Sequence, residues 1–283
     1  MMKLTKKAYA KLNLSLNVSE KLQNGYHNIE SIFQSVSLYD EVSVELQNDG
    51  IEVICDNNTI CGKDNICFAA AKLFFQKAKI KKGAKITIKK GIPLSAGLGG
   101  GSADAAAVLI ILNELLKYPL SKEQLLALGL SLGADVPFCI MGGTMYVSGI
   151  GEILKATYPC PECDIIIIKN GVKPSTKELY ERLDCSENIP HPDINKMLIA
   201  LEKGDLKGLS NNAQNSFSAV WGEEIEVVKS TLKSIGALEA ELSGSGPSVF
   251  GIFNSGDGKS VYEKLKNQYD EIYLCKPTLK GVE

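Results

Sequence analysis

The sequence predicts an α+β protein built as two domains. Its N-terminal part reads largely as strands, and later strands and helices alternate through short links of the antiparallel kind. The composition shifts at residues 156–163, where Pro159 and Pro161 fall close together. This places one domain at 1–158 and a second at 159–283. The 283 residues are enough for two domains of ordinary size, and 45% hydrophobic with 23% charged residues suits a globular chain.

Each element has its own signal. Residues 7–18 alternate partly, as a strand does. Residues 29–38 and 41–46 read as a strand pair hinged at Tyr39-Asp40, and 51–55 as a short strand. A helix is predicted over 65–77, with Asp64 as N-cap. Residues 84–89 alternate apolar and charged side chains, the pattern of a half-buried strand. A helix runs from about 102 to 117. The next follows Ser121, with Glu123 and Gln124 in its first turn. Gly142-Gly143-Thr144 opens another strand. Beyond the boundary, 165–168 is a buried strand, and helices lie near 175–182, 192–202, 211–220 and 223–234. Strands at 240–242 and 248–253, a helix at 259–268 and a strand at 271–275 close the chain. No internal repeat or low-complexity segment is present.

Composition excludes several functions. With 31 basic and 33 acidic residues the net charge is −2, so no general attraction to nucleic acid or anionic membrane is expected. Apolar runs such as 105–112 and 165–168 fall far short of the roughly 20 residues that span a bilayer. Residues 1–7 lack the apolar core of a signal peptide, so a cytoplasmic protein is expected. The eight cysteines read as free thiols. Cys160 and Cys163 have C-x-x-C spacing, but no second such pair accompanies them, and His27 and His191 are distant in sequence.

The strongest chemical signal is Pro93-Leu94-Ser95-Ala96-Gly97-Leu98-Gly99-Gly100-Gly101-Ser102-Ala103-Asp104. It follows a predicted strand and enters an Ala/Leu-rich helix. Such a loop approaches a ligand closely and presents free N–H groups at a helix start, which suits a phosphate. The NTPase P-loop requires a lysine beside Ser102, and none is there. A dinucleotide fingerprint is nearly met, but the acid at the right distance, Glu114, falls inside the helix. The His-Arg-Asp and Asp-Phe-Gly strings of protein kinases are absent. A plain glycine turn would be costly in chain entropy.

The loop instead resembles the P-x-x-x-G-L-G-(G/S)-S-(S/A) signature of the GHMP kinases. These enzymes phosphorylate small-molecule alcohols with ATP. The resemblance implies that residues Pro93 to Ala103 hold the ATP phosphates. It implies Mg²⁺ with Ser102 as a ligand, although Ser102 also suits a helix cap. The implied fold is the two-domain GHMP kinase fold. Its N-terminal domain is ribosomal S5 domain 2-like, its C-terminal domain is ferredoxin-like, and the site lies between them.

Phosphoryl transfer to an alcohol also needs a group to take or orient the hydroxyl proton and a cation to settle charge. Asp135, in Gly133-Ala134-Asp135-Val136-Pro137-Phe138, could simply satisfy turn amides. Lys11 and Asn13, in Ala10-Lys11-Leu12-Asn13-Leu14, share one strand face and could simply be solvated. Tyr26 and His27, in Asn24-Gly25-Tyr26-His27, suit either a hairpin turn or stacking and hydrogen bonding to a base. All three strings resemble segments of a cytidine-binding branch of the same family. There the aspartate and lysine are catalytic, and Tyr and His hold cytosine; Asn24 replaces an aspartate. Phe33 matches an aromatic residue of that pocket. Residues 174–180 resemble a further family segment, which implies Thr176 near the phosphates and Tyr180 near the cytidine. Residues 242–248, with Gly244 and Ser245, resemble the third family motif near the substrate. Asn65 matches an adenine-side asparagine and equally suits a plain cap. The implied partner is therefore a small-molecule cytidine-diphosphate alcohol of the non-mevalonate isoprenoid precursor pathway, with no nucleic acid and no membrane. Another GHMP kinase, of homoserine or mevalonate type, or a non-catalytic nucleotide binder remains open, as does monomer or homodimer.

Overall fold

A computed structural model describes residues 2–23, 25–56 and 60–283. Two long strands, β1 (Lys3–Lys21) and β2 (His27–Gln47), form the antiparallel spine of the first sheet. Strand β2 does not break at Tyr39-Asp40, contrary to the predicted hinge. Both residues stay in the ladder, opposite Tyr9 and Ala8. The Asp40 carboxylate is fully buried and accepts from the Gly91 and Ile92 N–H groups and from Lys90 Nζ. A polar residue that suggests a turn is satisfied by distant partners instead.

Strands β3 (Ile51–Cys55), β4 (Gly83–Lys89), β5 (Thr144–Gly149) and β6 (Ile153–Ala156) complete this sheet, in the order β3-β4-β2-β5-β6 with β1 on β2. Helix α1 (Ile66–Ala78) is capped by Asn65, whose Oδ1 accepts from the Cys67 N–H at 2.8 Å, and not by Asp64. Helix α2 (Gly100–Leu115) starts two residues earlier than predicted, so Ser102 lies in its first turn and does not cap it. Its residues from Ala103 through Leu109 are all buried, the apolar ones as their character demands and Asp104 as the ion-pair partner of Lys90. Helix α3 (Lys122–Leu132) begins with the predicted Ser121–Gln124 capping box. Helix α4 (Val136–Met141) is a single short turn with Pro137 near its start, too brief to show a helical period.

The second sheet has the order β10-β7-β9-β8, from β7 (Cys163–Lys169), β8 (Glu239–Leu242), β9 (Ser248–Asn254) and β10 (Ile272–Cys275). All its pairings are antiparallel. Four helices separate β7 from β8: α5 (Thr176–Asp184), α6 (Ile194–Lys203), α7 (Leu206–Asn211) and α8 (Glu223–Ser234). Helix α9 (Gly258–Leu265) links β9 to β10. Sheet order and connections are those of a ferredoxin-like unit. The predicted helix at 211–220 does not form. Helix α7 ends at Asn211, and a 3-10 turn spans Ser216–Val220. Between them the buried Asn215 donates to the carbonyls of Leu242 and Gly244, which takes its backbone out of helical geometry.

The α+β character is therefore as predicted. The halves are joined at several points. Leu16 bridges to Asn215, Val36 to Pro277 and Ala8 to Val282. No helix among the described residues is long and apolar enough to cross a membrane.

Candidate active site

Strand β1 supplies the centre of the site. Its register on β2 shifts between Tyr9 and Lys11 and again between Asn13 and Ser15. Lys11 is 5% exposed. Its Nζ donates to Asn13 Oδ1 at 2.7 Å, lies 3.4 Å from Asp135 Oδ2 and sits 4.6 Å from the Phe33 ring centre. Asn13 in turn donates from Nδ2 to Ser31 Oγ at 3.1 Å. A buried ammonium needs such partners, since burial without them costs several kcal/mol. Asp135 occupies the N-cap position of α4 but makes no capping bond, so its carboxylate is available to the cleft.

The glycine loop is held from both halves. Ala96 and Leu98 are buried anchors, and the Leu98 carbonyl accepts from the Lys11 N–H at 3.0 Å. The Ala96 carbonyl accepts from the Ser248 N–H, and the Gly97 carbonyl from Ser243 Oγ. Gly97 has φ +77°, and a Cβ there would lie 2.6 Å from the Ser243 carbonyl oxygen. No other residue fits that turn. Gly99 ends the loop in a left-handed conformation and places no side chain over the start of α2. The first N–H groups of a 16-residue helix are left for an anion.

Three cavities run in a row from this loop. The first, about 450 Å³, is lined by residues 93–102 with Lys11, Lys173 and Thr176. The second, about 340 Å³, shares Lys11, Ser102, Asp135, Thr176, Gly244 and Ser245 with the first and adds Asn13, Phe33 and Tyr180. The third, about 500 Å³, shares Thr176 and Tyr180 and ends at Tyr26 and His27. His27 Nε2 is 2.7 Å from Asp184 Oδ1, and its ring stacks on Tyr180 at 4.7 Å. Tyr26 is 61% exposed at the rim. Burial, and then the charge of Asp135, raises the Tyr180 phenol above its ordinary pKa.

Nearly all the predicted site residues thus line one channel. Ala103 and Asn65 differ. Ala103 is fully buried, and its N–H already donates to the Gly99 carbonyl, so it stands behind the loop. Asn65 lines a side cavity of about 310 Å³, but both ends of its amide are used, by Cys67 N–H and by the Ile60 carbonyl. Asn24 lies outside the described residues. Among the described residues no cluster of three or more His, Cys, Asp or Glu could hold a metal. The hydroxyl of Ser102, in the first turn of α2 on the loop cavity, suits Mg²⁺, which takes few protein ligands and fills its shell with phosphate and water.

Sequence reasoning missed Asp184, Lys173 and the Asp40–Lys90–Asp104 group. Asp184 closes α5 and is held below the usual carboxylate range, first by its bond from Lys21 at 2.5 Å and then by His27. Lys90 lies between Asp40 and Asp104, 2.9 Å from the latter. Burial, and then Asp40, raises the Asp104 carboxyl well above its ordinary range. They are scattered over a strand, loops and helices, and their partners are distant in sequence.

The models of the GHMP kinases N-terminal and C-terminal domains match residues 65–143 and 197–271. The chain is 40% identical over 275 residues to a 4-diphosphocytidyl-2-C-methyl-D-erythritol kinase of Clostridium botulinum (strain Alaska E43 / Type E3), covering 95% of this chain and 98% of that one. It is 43% identical over 268 residues to the protein of that name from Lachnoclostridium phytofermentans, covering 93% and 91%. A crystal structure of 4-(cytidine 5'-diphospho)-2C-methyl-D-erythritol kinase superposes with a TM-score of 0.84 at 29% identity, covering 97% of this chain and 99% of that one. A glycine loop feeding a helix, a ferredoxin-like second unit and relatives matched over nearly their full lengths lead to one assignment: the chain belongs to the GHMP kinase family.

Proposed function

We propose that this chain is an ATP-dependent kinase for the 2-hydroxyl of 4-diphosphocytidyl-2-C-methyl-D-erythritol, in the non-mevalonate route to isoprenoid precursors. One observation carries the reading. The Lys11–Asp135 pair stands where the phosphate-loop cavity meets the cavity leading toward Tyr26 and His27. A nucleotide on the loop and a cytidine at the far end would meet at that pair.

Asp135 accepts or orients the hydroxyl proton. The hydroxyl oxygen forms a bond to the γ-phosphorus, and the β,γ-bridging oxygen leaves with its electron pair on ADP. Lys11 Nζ, preorganised by Asn13, stabilises negative charge on the attacking oxygen. The N–H groups at the start of α2 and the loop backbone bind the phosphates. Ser102 would hold Mg²⁺ together with the phosphates, and the ion would offset phosphate charge. Tyr26 and Tyr180 offer rings to the base, and His27 offers a polar edge. We also place the activity in the cytoplasm, where ATP is supplied, and keep the division of the chain near residue 158.

The test is ADP release with Mg-ATP and the cytidine substrate, run beside homoserine and mevalonate. Turnover with the cytidine substrate alone is expected. Turnover only with another alcohol would keep the kinase and discard the cytidine pocket.

A further inference from the structure

The cations around the phosphate loop are unequally matched. Lys90 is gripped by two buried carboxylates, and Lys11 faces Asp135 at 3.4 Å. Lys173 has no carboxylate within ion-pair distance among the described residues. Yet it is half-buried, and it lines the loop cavity together with Ser102 and Thr176. It does not line the middle cavity or the one that ends at Tyr26. Its backbone is fixed from the C-terminal side. Ser175, two residues on, caps α5 by accepting from the Glu178 N–H at 3.1 Å.

Burial, and then the charge of Lys11, lowers the Lys173 ammonium below its ordinary pKa, while Asp135 acts the other way. A half-buried second cation lining the same cavity as the first, with no carboxylate of its own among the described residues, calls for an incoming anion. The identity of that anion follows from position. The loop amides and the start of α2 serve the phosphates nearest the loop. Lys11 and Asp135 bracket the place of the acceptor hydroxyl. A cation that lines the loop cavity together with Lys11 and Asp135 is placed to meet the group that travels between loop and acceptor.

We propose that Lys173 is a substrate-binding residue for the γ-phosphoryl group of ATP, whose ammonium contacts that group's oxygens together with Lys11 in the ground state and during transfer. This rests on the kinase reading above. It adds to the loop cavity a cation supplied by the ferredoxin-like half of the chain. Arginine could serve the same role, since it also donates to phosphate oxygens.

The experiment compares the full-length wild type with Lys173→Met, Lys173→Gln and Lys173→Arg. Affinity is measured by calorimetry for Mg-ADP and for a non-hydrolysable Mg-ATP analogue, neither of which needs the acceptor. Lys173→Met is expected to weaken the analogue about tenfold or more while changing ADP less than about twofold, as fits the loss of one charge-assisted contact. Turnover should fall about 100-fold, with KM for the alcohol unchanged and most activity restored in Lys173→Arg. Equal weakening of ADP and the analogue, unchanged binding and kcat, or an effect confined to the alcohol's KM would each overturn the proposal. Lys173→Gln gives the same readout should the methionine variant misfold. A wild type that discriminates ATP from ADP through Lys173 but ignores the cytidine alcohol would keep this inference and sink the substrate reading. A wild type that binds no ATP would sink both.

Discussion

The two ends of the channel are built by different means. The phosphate end is mostly backbone: a glycine loop, a bare helix start and two buried anchors, Ala96 and Leu98. The base end is mostly side chain. Tyr26 is exposed, His27 leans on Asp184 and Tyr180, and Asp184 is tied to Lys21. Backbone sites depend on conformations that only certain residues allow, so a single change there distorts the site. Side-chain sites can lose one member and keep their shape. The first should be intolerant of substitution and general for nucleotides. The second should be tolerant and selective.

The largest expected effect falls where the two ends meet. Asp135→Asn should lower kcat by about 10³ with the protein still folded and the melting temperature only modestly lowered, because the partly exposed carboxylate makes no capping bond and Lys11 keeps its bond to Asn13. An active Asp135→Asn enzyme would remove the proposed base. At the phosphate end, Gly97→Ala should destabilise the fold by about 2–4 kcal/mol in urea unfolding and abolish ATP binding. It combines a positive φ with a contact of 2.6 Å to backbone. A stable Gly97→Ala protein that binds ATP would break the contrast between the two ends.

At the base end, Tyr26→Ala should leave stability within about 0.5 kcal/mol, as for other exposed sites. It should raise KM for the cytidine substrate by about tenfold, the scale of one stacked base, with KM for ATP unchanged. The smallest effect concerns pH. The Asp184 carboxyl is held below its ordinary range, so its contribution to stability is present above the usual carboxylate range. It is lost as pH falls through the lowered folded value. Asp184→Asn should therefore shallow the acid side of the stability profile and converge with the wild type at the lowest pH. Parallel profiles across the acid range would show that the His27–Asp184–Lys21 chain carries no linkage.

The same contrast decides what could be read from the sequence. The phosphate end was legible because its chemistry demands glycine, and clustered glycines stand out. The Ser121 capping box was legible because it is local. The base end needed resemblance, since Tyr26, His27 and Tyr180 come from separate segments and each alone suits a turn or a core. Lys173 and Asp184 carried no signal, because what surrounds them comes from distant segments: Lys11 and the glycine loop for Lys173, Lys21 and His27 for Asp184. The false hinge at Tyr39-Asp40 has the same origin. Asp40 looks like a turn residue until Lys90 and the Gly91 and Ile92 amides, some fifty residues on, are in place. Asn65 and Asp64 are neighbours of equal capping propensity, and only geometry separates them.

The glycine loop is stitched to Ser243 and Ser248 as well as to Lys11. As a string it belongs wholly to the N-terminal half, but as an object it does not. A fragment ending near residue 158 would contain every residue of the signature and still lack the wall that gives the loop its shape. The signature is therefore portable in text and not in matter. Grafting it into another scaffold, or exchanging the second half between relatives, transfers nucleotide binding only if a matching Ser-Gly-Ser-Gly turn travels with it.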